Sequence, residues 1–413
     1  MQTDILAIDF GTSNSAAAVL QDGRVRRIPI ETGEETLPTA VFFPLGGNGR
    51  MRIGSAAAEA LIEGEEGRYM RALKSVLGTA LLHESRLIGG KRRTVAGIIA
   101  EFLTELRQRA EAATGQRFTR ALSGRPVHFH SNDADRDAQA EADLRACYLA
   151  AGFETVEFLP EPEAAAIACQ GLGRDSDLGL IVDIGGGTSD FSVFRNAGAR
   201  PEILASHGIR LGGTDFDHAV SMAHAMPALG LGGQLRRELG ADLLPVPRAI
   251  YVDLSTWAKI PFLYTPETRR MVADMLRMAV DERSMGRLQI VLEEELGHEL
   301  AFAVEAGKIQ ANTGANAGQI AMGFIAPKLS RPVSPDSLNA ALAPYRVQLF
   351  EAAAETLTLA GVTPDQIGRV VLVGGSSLMR VVSEEAARLC PQAEILRSEA
   401  FTAVVDGLAL ATA

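Results

Sequence analysis

Residues 5–20 (ILAIDFGTSNSAAAVL) and 179–194 (GLIVDIGGGTSDFSVF) repeat one pattern. An apolar run ends in an aspartate, Asp9 or Asp183. A tight turn of Gly, Thr and Ser follows, and a second apolar run closes the motif. This predicts a β-hairpin with its small residues at the turn. Backbone N–H groups in such a turn can cradle phosphate oxygens, because glycine leaves the approach open. An aspartate at the strand end stands where a hydrated Mg²⁺ would be needed. Two such turns facing each other would enclose a nucleotide polyphosphate from both sides.

Other residues carry chemistry less specifically. VVLVGGSS at 370–377 is a third strand running into a glycine turn and then a helix. Gly374, Gly375 and Ser376 would allow close backbone approach to a flat ring or a phosphate. In isolation packing explains such a turn equally well, and its order after the two hairpins gives it specificity. In VEAGKIQAN, Glu305 and Lys308 share a helix face and could hold ribose hydroxyls and a purine edge. Spacing alone favours an ordinary surface ion pair. Lys74 (RALKSVLG) and Glu161 (LPEPEAAA) could supply the cation and the water-orienting acceptor that phosphoanhydride hydrolysis needs. Residue chemistry alone does not single them out among 40 basic and 51 acidic residues. His128 and His130 alternate on a predicted strand, RPVHFH at 125–130, and share a face; with no third ligand nearby, ring stems packed on a sheet are favoured over a metal. Cys147 and Cys169 read as core residues, Trp257 as subdomain packing, and EGEEGR at 63–68 as a solvated helix face.

The elements that must position these residues alternate along the chain. Strands are expected at 5–10 and 15–20, and helices near 55–64, 68–78 and 95–113. A strand at 125–130, a helix at 134–151 ending at Gly152, and an alanine-rich helix at 163–170 stopped by Gly171 and Gly173 complete a first α/β half. A second half begins near residue 175. It is interrupted over 219–335 by a smaller inserted subdomain with long helical patterns at 266–284 and 287–312 and a β-rich piece near 318–325. From 336 the α/β pattern returns: helix 336–360, strand 369–373, helix 378–389 and a final helix 402–412.

The 413 residues are too many for one ordinary core. An apolar fraction of 47% with 22% charged residues fits a globular enzyme. A net charge of −11 argues against nucleic acid or anionic membrane as a partner of the whole surface. Three cysteines with no metal-ligand spacing fit a reduced setting, and the first residues form a strand, not a signal peptide. A cytoplasmic location is expected.

IDFGTSNS, PEPEAAA, VDIGGGTSDF, LGGTDFD, VEAGKI and VLVGGSS, in this order, resemble the actin-like ATPase superfamily and, more narrowly, the ATPase domain of DnaK-type heat-shock 70 chaperones. YMRALK and a divergent adenosine region are more similar to the YegD-like branch. The resemblance implies an α/β actin-like ATPase fold: two lobes of duplicated ribonuclease H-like subdomains around a central nucleotide cleft, with smaller inserted subdomains. Lobe I would span 1–174, with an insertion at about 39–115 and completion by about 397–413. Lobe II would span 175–396, with an insertion at about 219–335. No C-terminal peptide-binding domain is expected within the sequence.

The resemblance also assigns roles. Gly11, Thr12, Ser13 and Asn14 would contact the β- and γ-phosphates from one lobe, and Gly185, Gly186, Gly187 and Thr188 from the other. Asp9 and Asp183 would hold Mg²⁺ through waters, and Asp190 would support the second turn. Lys74 would position the attacking water beside Glu161, with Asp183 and Thr188 completing the catalytic set. Pro126 would gate communication with a partner domain. Gly212 and Gly213 form a turn near the phosphates, Glu305 and Lys308 clamp base and ribose, and Gly374, Gly375 and Ser376 underlie the adenosine. The implied function is Mg-ATP binding and hydrolysis with ATP/ADP and Mg²⁺ as cofactors, opening and closing of the lobes, and separate co-chaperone or exchange-factor partners. Leu378 stands where the chaperones usually stack an arginine on adenine, a loss of about 1 kcal/mol. Asn312 replaces a serine and Phe401 an aspartate near the ribose. These departures favour, as alternatives, a nucleotide sensor with little hydrolysis; an actin-like filament protein or a small-molecule kinase uses the same fold.

Overall fold

The apolar runs form a six-stranded and a five-stranded sheet that share a five-strand plan, the extra strand Thr36–Pro38 pairing with Asn14–Ala16, in a computed structural model describing residues 4–31, 33–46, 50–169, 178–196, 201–237, 241–314, 317–397 and 402–413. In the first sheet, β1 (Ile5–Phe10), β2 (Asn14–Gln21) and β3 (Arg24–Ile28) are antiparallel neighbours. β4 (Arg120–Arg125) and β5 (Thr155–Pro160) then add in parallel beyond β1. The second sheet repeats this with β6 (Leu178–Ile184), β7 (Ser189–Asn196) and β8 (Pro201–Ile209) antiparallel, and β9 (Arg369–Val373) and β10 (Glu394–Arg397) parallel beyond β6. The spatial orders β3-β2-β1-β4-β5 and β8-β7-β6-β9-β10 are therefore equivalent.

The helices repeat as well. α1 (Val95–Thr114) precedes β4, α2 (Ala134–Ala150) joins β4 to β5, and α3 (Glu161–Ala168) follows β5. In the second repeat α4 (Pro335–Leu359), α5 (Arg380–Leu389) and α6 (Ala403–Ala411) take the same places. This duplicated α/β plan is consistent with the actin-like ATPase fold that the motifs imply.

α3 and α6 pack on each other and on the sheets through small side chains. Ala164, Ala165 and Ala166 of α3 share one core with Ala7, Ala16 and Ala18 of the first sheet, Ile181, Val371 and Val373 of the second, and Ala403, Val405 and Leu408 of α6. Alanine brings helix and sheet close, which orders both hairpins from behind. A bidentate ion pair from Arg27 on β3 to Asp406 on α6, at 2.8 and 2.7 Å, fixes the orientation of that helix.

The chain divides into two compact units, Met1–Gly213 with Arg346–Ala413, and Thr214–Tyr345. In the second, helices Pro266–Met278, Glu282–Glu293 and Gly297–Thr313 accompany a two-stranded ladder of Gly318–Ala321 with Ser330–Val333. Trp257 is buried here against His298 and Phe302. Among the described residues, no helix is long and apolar enough to cross a membrane. All three cysteines are buried free thiols.

Several local expectations are corrected. Residues 68–78 are not a helix: Gly67–Arg71 is a strand paired with Ala40–Pro44, burying Tyr69 and Met70. Ala72, at φ 59°, breaks it, and Lys74 sits on the short 3₁₀ turn Leu73–Val76. Ladder pairing with a distant segment outweighs local helix preference. The acidic run at 63–68 is the turn between helix Ser55–Ile62 and that strand, not a helix face. The strand expected at 125–130 lies at Arg120–Arg125, because Pro126 has no N–H to continue a ladder. The patterns 266–284 and 287–312 resolve into three helices: Asp281 caps the second by accepting the Ser284 N–H, and Glu295, at φ 55°, lies between the second and third. The alanine-rich helix begins at Glu161, two residues early, and its expected stops, Gly171 and Gly173, lie outside the described residues.

The α3–α6 crossing leaves no room for a side chain at Gly407, where a Cβ would come within 1.7 Å of the Ala164 carbonyl oxygen. Helix propensity alone would make Gly407→Ala stabilising by about 1 kcal/mol. Overpacking reverses the sign, and the substitution is expected to cost about 1–3 kcal/mol. A urea midpoint equal to or above that of the parent protein would contradict this crossing.

Candidate phosphate-binding site

Both hairpins end at the same edge of their sheets. In the first, Asp9 opposes Ala16 and Phe10 opposes Ser15, leaving Gly11–Ser13 as the turn before Asn14 opens β2. In the second, Ile184 opposes Ser189 and the Gly185 N–H donates to the Thr188 carbonyl at 3.0 Å. The two turns face and touch each other. A Cβ on Gly186 would lie 2.3 Å from Ser13 Oγ, and one on Gly187 3.0 Å from Thr12 Oγ1.

Two further turns close around the second hairpin. Gly212 abuts Gly187, where a Cβ would meet the amide nitrogen at 2.5 Å; the Gly213 N–H donates to the Gly185 carbonyl at 3.0 Å. Gly374 has φ 81°, and its missing Cβ would strike the Ile184 carbonyl and Asp183 Oδ1 at 2.4 and 2.6 Å. Gly375 and Ser376 continue into a 3₁₀ turn, with the Ser376 hydroxyl packed against Gly213. The structure thus gathers Gly11–Asn14, Gly185–Thr188, Gly212–Gly213 and Gly374–Ser376 in one place, a backbone-lined cradle that side chains would fill.

Charge is concentrated beside it. Lys74 Nζ donates to Glu161 Oε1 at 2.6 Å, and both side chains are buried. Asp183 and Asp190 sit opposite each other across β6 and β7, where two like charges repel. Burial, then the charge of Glu161, raises the Asp9 carboxyl to about 7, against the pull of Lys74. The same causes raise Asp190 to about 8, although it accepts the Val127 N–H at 2.7 Å. Asp183 is held well above the usual carboxylate range, chiefly by burial. Three carboxyls pushed toward the neutral form around one ammonium are a donor set short of positive charge, which a divalent cation would relieve. Among the described residues no three His, Cys, Asp or Glu side chains gather to chelate an ion directly. An ion fitting here would be held from Asp9 and Asp183 through water and phosphate oxygens.

A cavity of about 20 Å³, roughly the room for one water molecule, is lined by Thr12, Lys74, Pro126, Gly187, Thr188 and Arg210 among others. Neighbouring groups fix the Lys74 turn beside it. His130 Nε2 donates to the Leu77 carbonyl at 2.8 Å, and Asp143 on α2 accepts the Gly78 N–H at 3.0 Å. The two histidines do not share a strand face, because the chain has left the sheet at Pro126. His130 is buried, whereas His128 is half-buried near Asp137.

In the second unit, Lys308 is not part of a surface ion pair. It is buried, and its Nζ meets Asp217 Oδ1 at 2.7 Å, while Trp257 Nε1 donates to Asp217 Oδ2 at 3.1 Å. Burial raises the Asp217 carboxyl against the opposing pull of Lys308. Glu305 lies half-buried one turn earlier on the same helix, and Asn312 is buried one turn later. Leu378 is 43% exposed at the end of the third turn. Phe401 lies outside the described residues. Asp217, Asp143 and Arg210 have no distinguishing sequence signal except that Asp217 and Arg210 flank the LGG turn.

Asp190 has a testable pH signature. Its carboxyl is raised from 3.8 to about 8, so across that window the native state holds a proton that the unfolded chain has lost. The stability it contributes is full below about pH 4 and is lost as pH rises through about 8. Asp190→Asn keeps an acceptor for the Val127 N–H and removes the titration. Urea unfolding in chelator is expected to show a shallower fall in stability between about pH 5 and pH 8; parallel profiles would rule the assignment out.

Residues 84–227 match the family model described as Hsp70 protein. That span contains Pro126, Glu161, Asp183, the second hairpin and the Gly212–Gly213 turn. Over 237 residues the chain is 34% identical to the chaperone protein HscA homolog of Pseudomonas putida, a match covering 52% of this chain and 36% of that protein. The match therefore takes in little more than a third of the relative's length. With the order of motifs and the duplicated sheets, these two matches support placing the chain with the Hsp70-type proteins.

Proposed function

We propose that the chain binds Mg-ATP and hydrolyses its terminal phosphoanhydride as a chaperone-like ATPase, with Asp9 and Asp183 as water-mediated Mg²⁺ holders. The observation that carries this reading is the convergence of two aspartate-ended hairpins on one buried Lys74–Glu161 pair. The Gly11–Asn14 and Gly185–Thr188 turns would grip the phosphates by backbone N–H groups, and Gly212, Gly213, Gly374, Gly375 and Ser376 would let the nucleotide approach the backbone. Admission of a triphosphate parts Thr12 and Ser13 from Gly186 and Gly187, so nucleotide occupancy and the separation of the two sheets are linked. That linkage is the basis of a switch read by separate co-chaperone or exchange-factor proteins in the cytoplasm.

Mg²⁺, when bound, supplies charge neutralisation on the phosphate oxygens. Lys74 lines a cavity sized for a single water, and its ammonium is paired with Glu161. A water beside that ammonium, with the Thr12 and Thr188 side chains lining the same space, would be oriented for attack at the terminal phosphorus with departure of ADP. Glu305 and Lys308 would hold ribose and base, with Asp217 keeping Lys308 in place. A second reading, a nucleotide sensor with little turnover, is favoured by Leu378, whose aliphatic side chain cannot supply a stacked cation.

Lys74→Ala is expected to lower single-turnover hydrolysis by about 100-fold or more while calorimetric affinity for ADP stays within about threefold. Undiminished hydrolysis would remove Lys74 from the mechanism. Asp183→Asn is expected to abolish most of the gain in affinity that Mg²⁺ confers. Equal Mg²⁺ dependence in parent and variant would move the metal elsewhere. Thermal shifts with ATP, ADP and GTP, each with and without Mg²⁺, separate the ATPase from a sensor and establish the purine preference.

A further inference from the structure

We infer that Arg210 is a positioning residue that ties the turn carrying Lys74 to the second phosphate turn. The inference rests on the ATPase reading for its catalytic consequence, but the tie itself is a matter of geometry.

Arg210 lies between β8 and the Gly212–Gly213 turn, in a segment laced to the second hairpin. The Ser189 hydroxyl donates to the Leu211 carbonyl at 2.7 Å, the Gly213 N–H donates to Gly185, and Gly212 is packed against Gly187. From this anchored position Arg210 reaches the first repeat twice. Its guanidinium Nη2 donates to the Ser75 carbonyl at 2.8 Å, the residue next to Lys74. Its backbone N–H donates to Ser131 Oγ at 2.8 Å, in the segment that also carries Pro126 and His130.

A one-turn 3₁₀ helix has carbonyls with no partner of their own, so an outside donor decides where it sits. Other bonds to this turn, among them those from His130 to Leu77, from Arg136 to Gly78 and from Gly78 to Asp143, come from the first repeat. Arg210 supplies a charge-assisted bond from the second. A shift of Gly185–Thr188 is thereby passed to Ser75 and to the neighbouring ammonium. The Arg210 side chain is exposed, so removing it leaves the core untouched and separates positioning from folding.

The test compares the parent protein with Arg210→Ala and Arg210→Lys by three readouts. The amides of Leu77, Gly78 and Thr79, which donate to Lys74, Asp143 and Val76, report the turn by hydrogen exchange. Arg210→Ala is expected to speed their exchange at least about fivefold and to slow single-turnover hydrolysis by about 10–100-fold. Calorimetric affinity for Mg-ADP should stay within about twofold. Arg210→Lys, with one ammonium able to reach the Ser75 carbonyl, should fall between the two. Unchanged exchange at 77–79 overturns the tie, and faster exchange with undiminished hydrolysis overturns its catalytic consequence. A large loss of Mg-ADP affinity would make Arg210 a binding residue and also overturn the assignment. If the parent protein binds Mg-nucleotide but never hydrolyses it, the ATPase reading fails, and the exchange measurement alone decides the tie.

Discussion

One ammonium, that of Lys74, is set among four carboxyls: Asp9, Glu161, Asp183 and Asp190. Glu161 pairs with it at 2.6 Å, and burial with mutual repulsion pushes the other three toward the neutral form. A folded domain gains nothing from that imbalance by itself, since uncompensated buried charge costs stability. It is tolerated because both sheets, joined through the α3–α6 pair, hold the strand ends rigidly in place. A divalent cation placed among these carboxyls would relieve the same imbalance.

The cradle follows from close packing as much as from charge. Gly186 touches Ser13, Gly212 touches Gly187, and Gly374 touches Asp183, so a single Cβ at any of the three would force two turns apart. Turns built this way have few intermediate arrangements: they are in contact or they are separated. A phosphate chain entering between Thr12–Ser13 and Gly186–Gly187 would separate them. Leu211 accepts the Ser189 hydroxyl beside the second turn, and Arg210 is bonded to Ser75 and Ser131 of the first repeat, so the segment before Gly212 touches both repeats.

The hairpins, β9 and α1 were legible in the sequence because their signals are local: alternation, small turn residues and helical periodicity act over a few positions. The turn of Lys74 was not. YMRALK has helix-compatible residues, yet Tyr69 and Met70 gain more by pairing with Val41 and Phe42, a partnership no local window contains. β4 was displaced for the opposite reason. RPVHFH looks more strand-like than RALSGR, but Pro126 ends the ladder and the parallel pairing of Ile5 with Arg120 sets the register. Of the candidate site, the glycines and aspartates could be read from pattern. The partner of Lys308 could not, because Asp217 lies far from it in sequence and gains its role only through burial beside Trp257.

The duplication explains where the chain accepts extra sequence. In each repeat the insertion comes after the third strand, β3 or β8, and before the helix that leads into the fourth, α1 or α4. Both strands end their sheet's order, and after β3 the chain pairs again with β2 at Thr36–Pro38 before it leaves the sheet. Lengthening such a connection costs closure entropy that grows only logarithmically with its length. The β1–β2 and β6–β7 turns have no such freedom, because the register of each hairpin and the contact between Ser13 and Gly186 fix their length. The two inserted segments thus fall on edge connections, while the Gly11–Asn14 and Gly185–Thr188 turns have the same length in both halves.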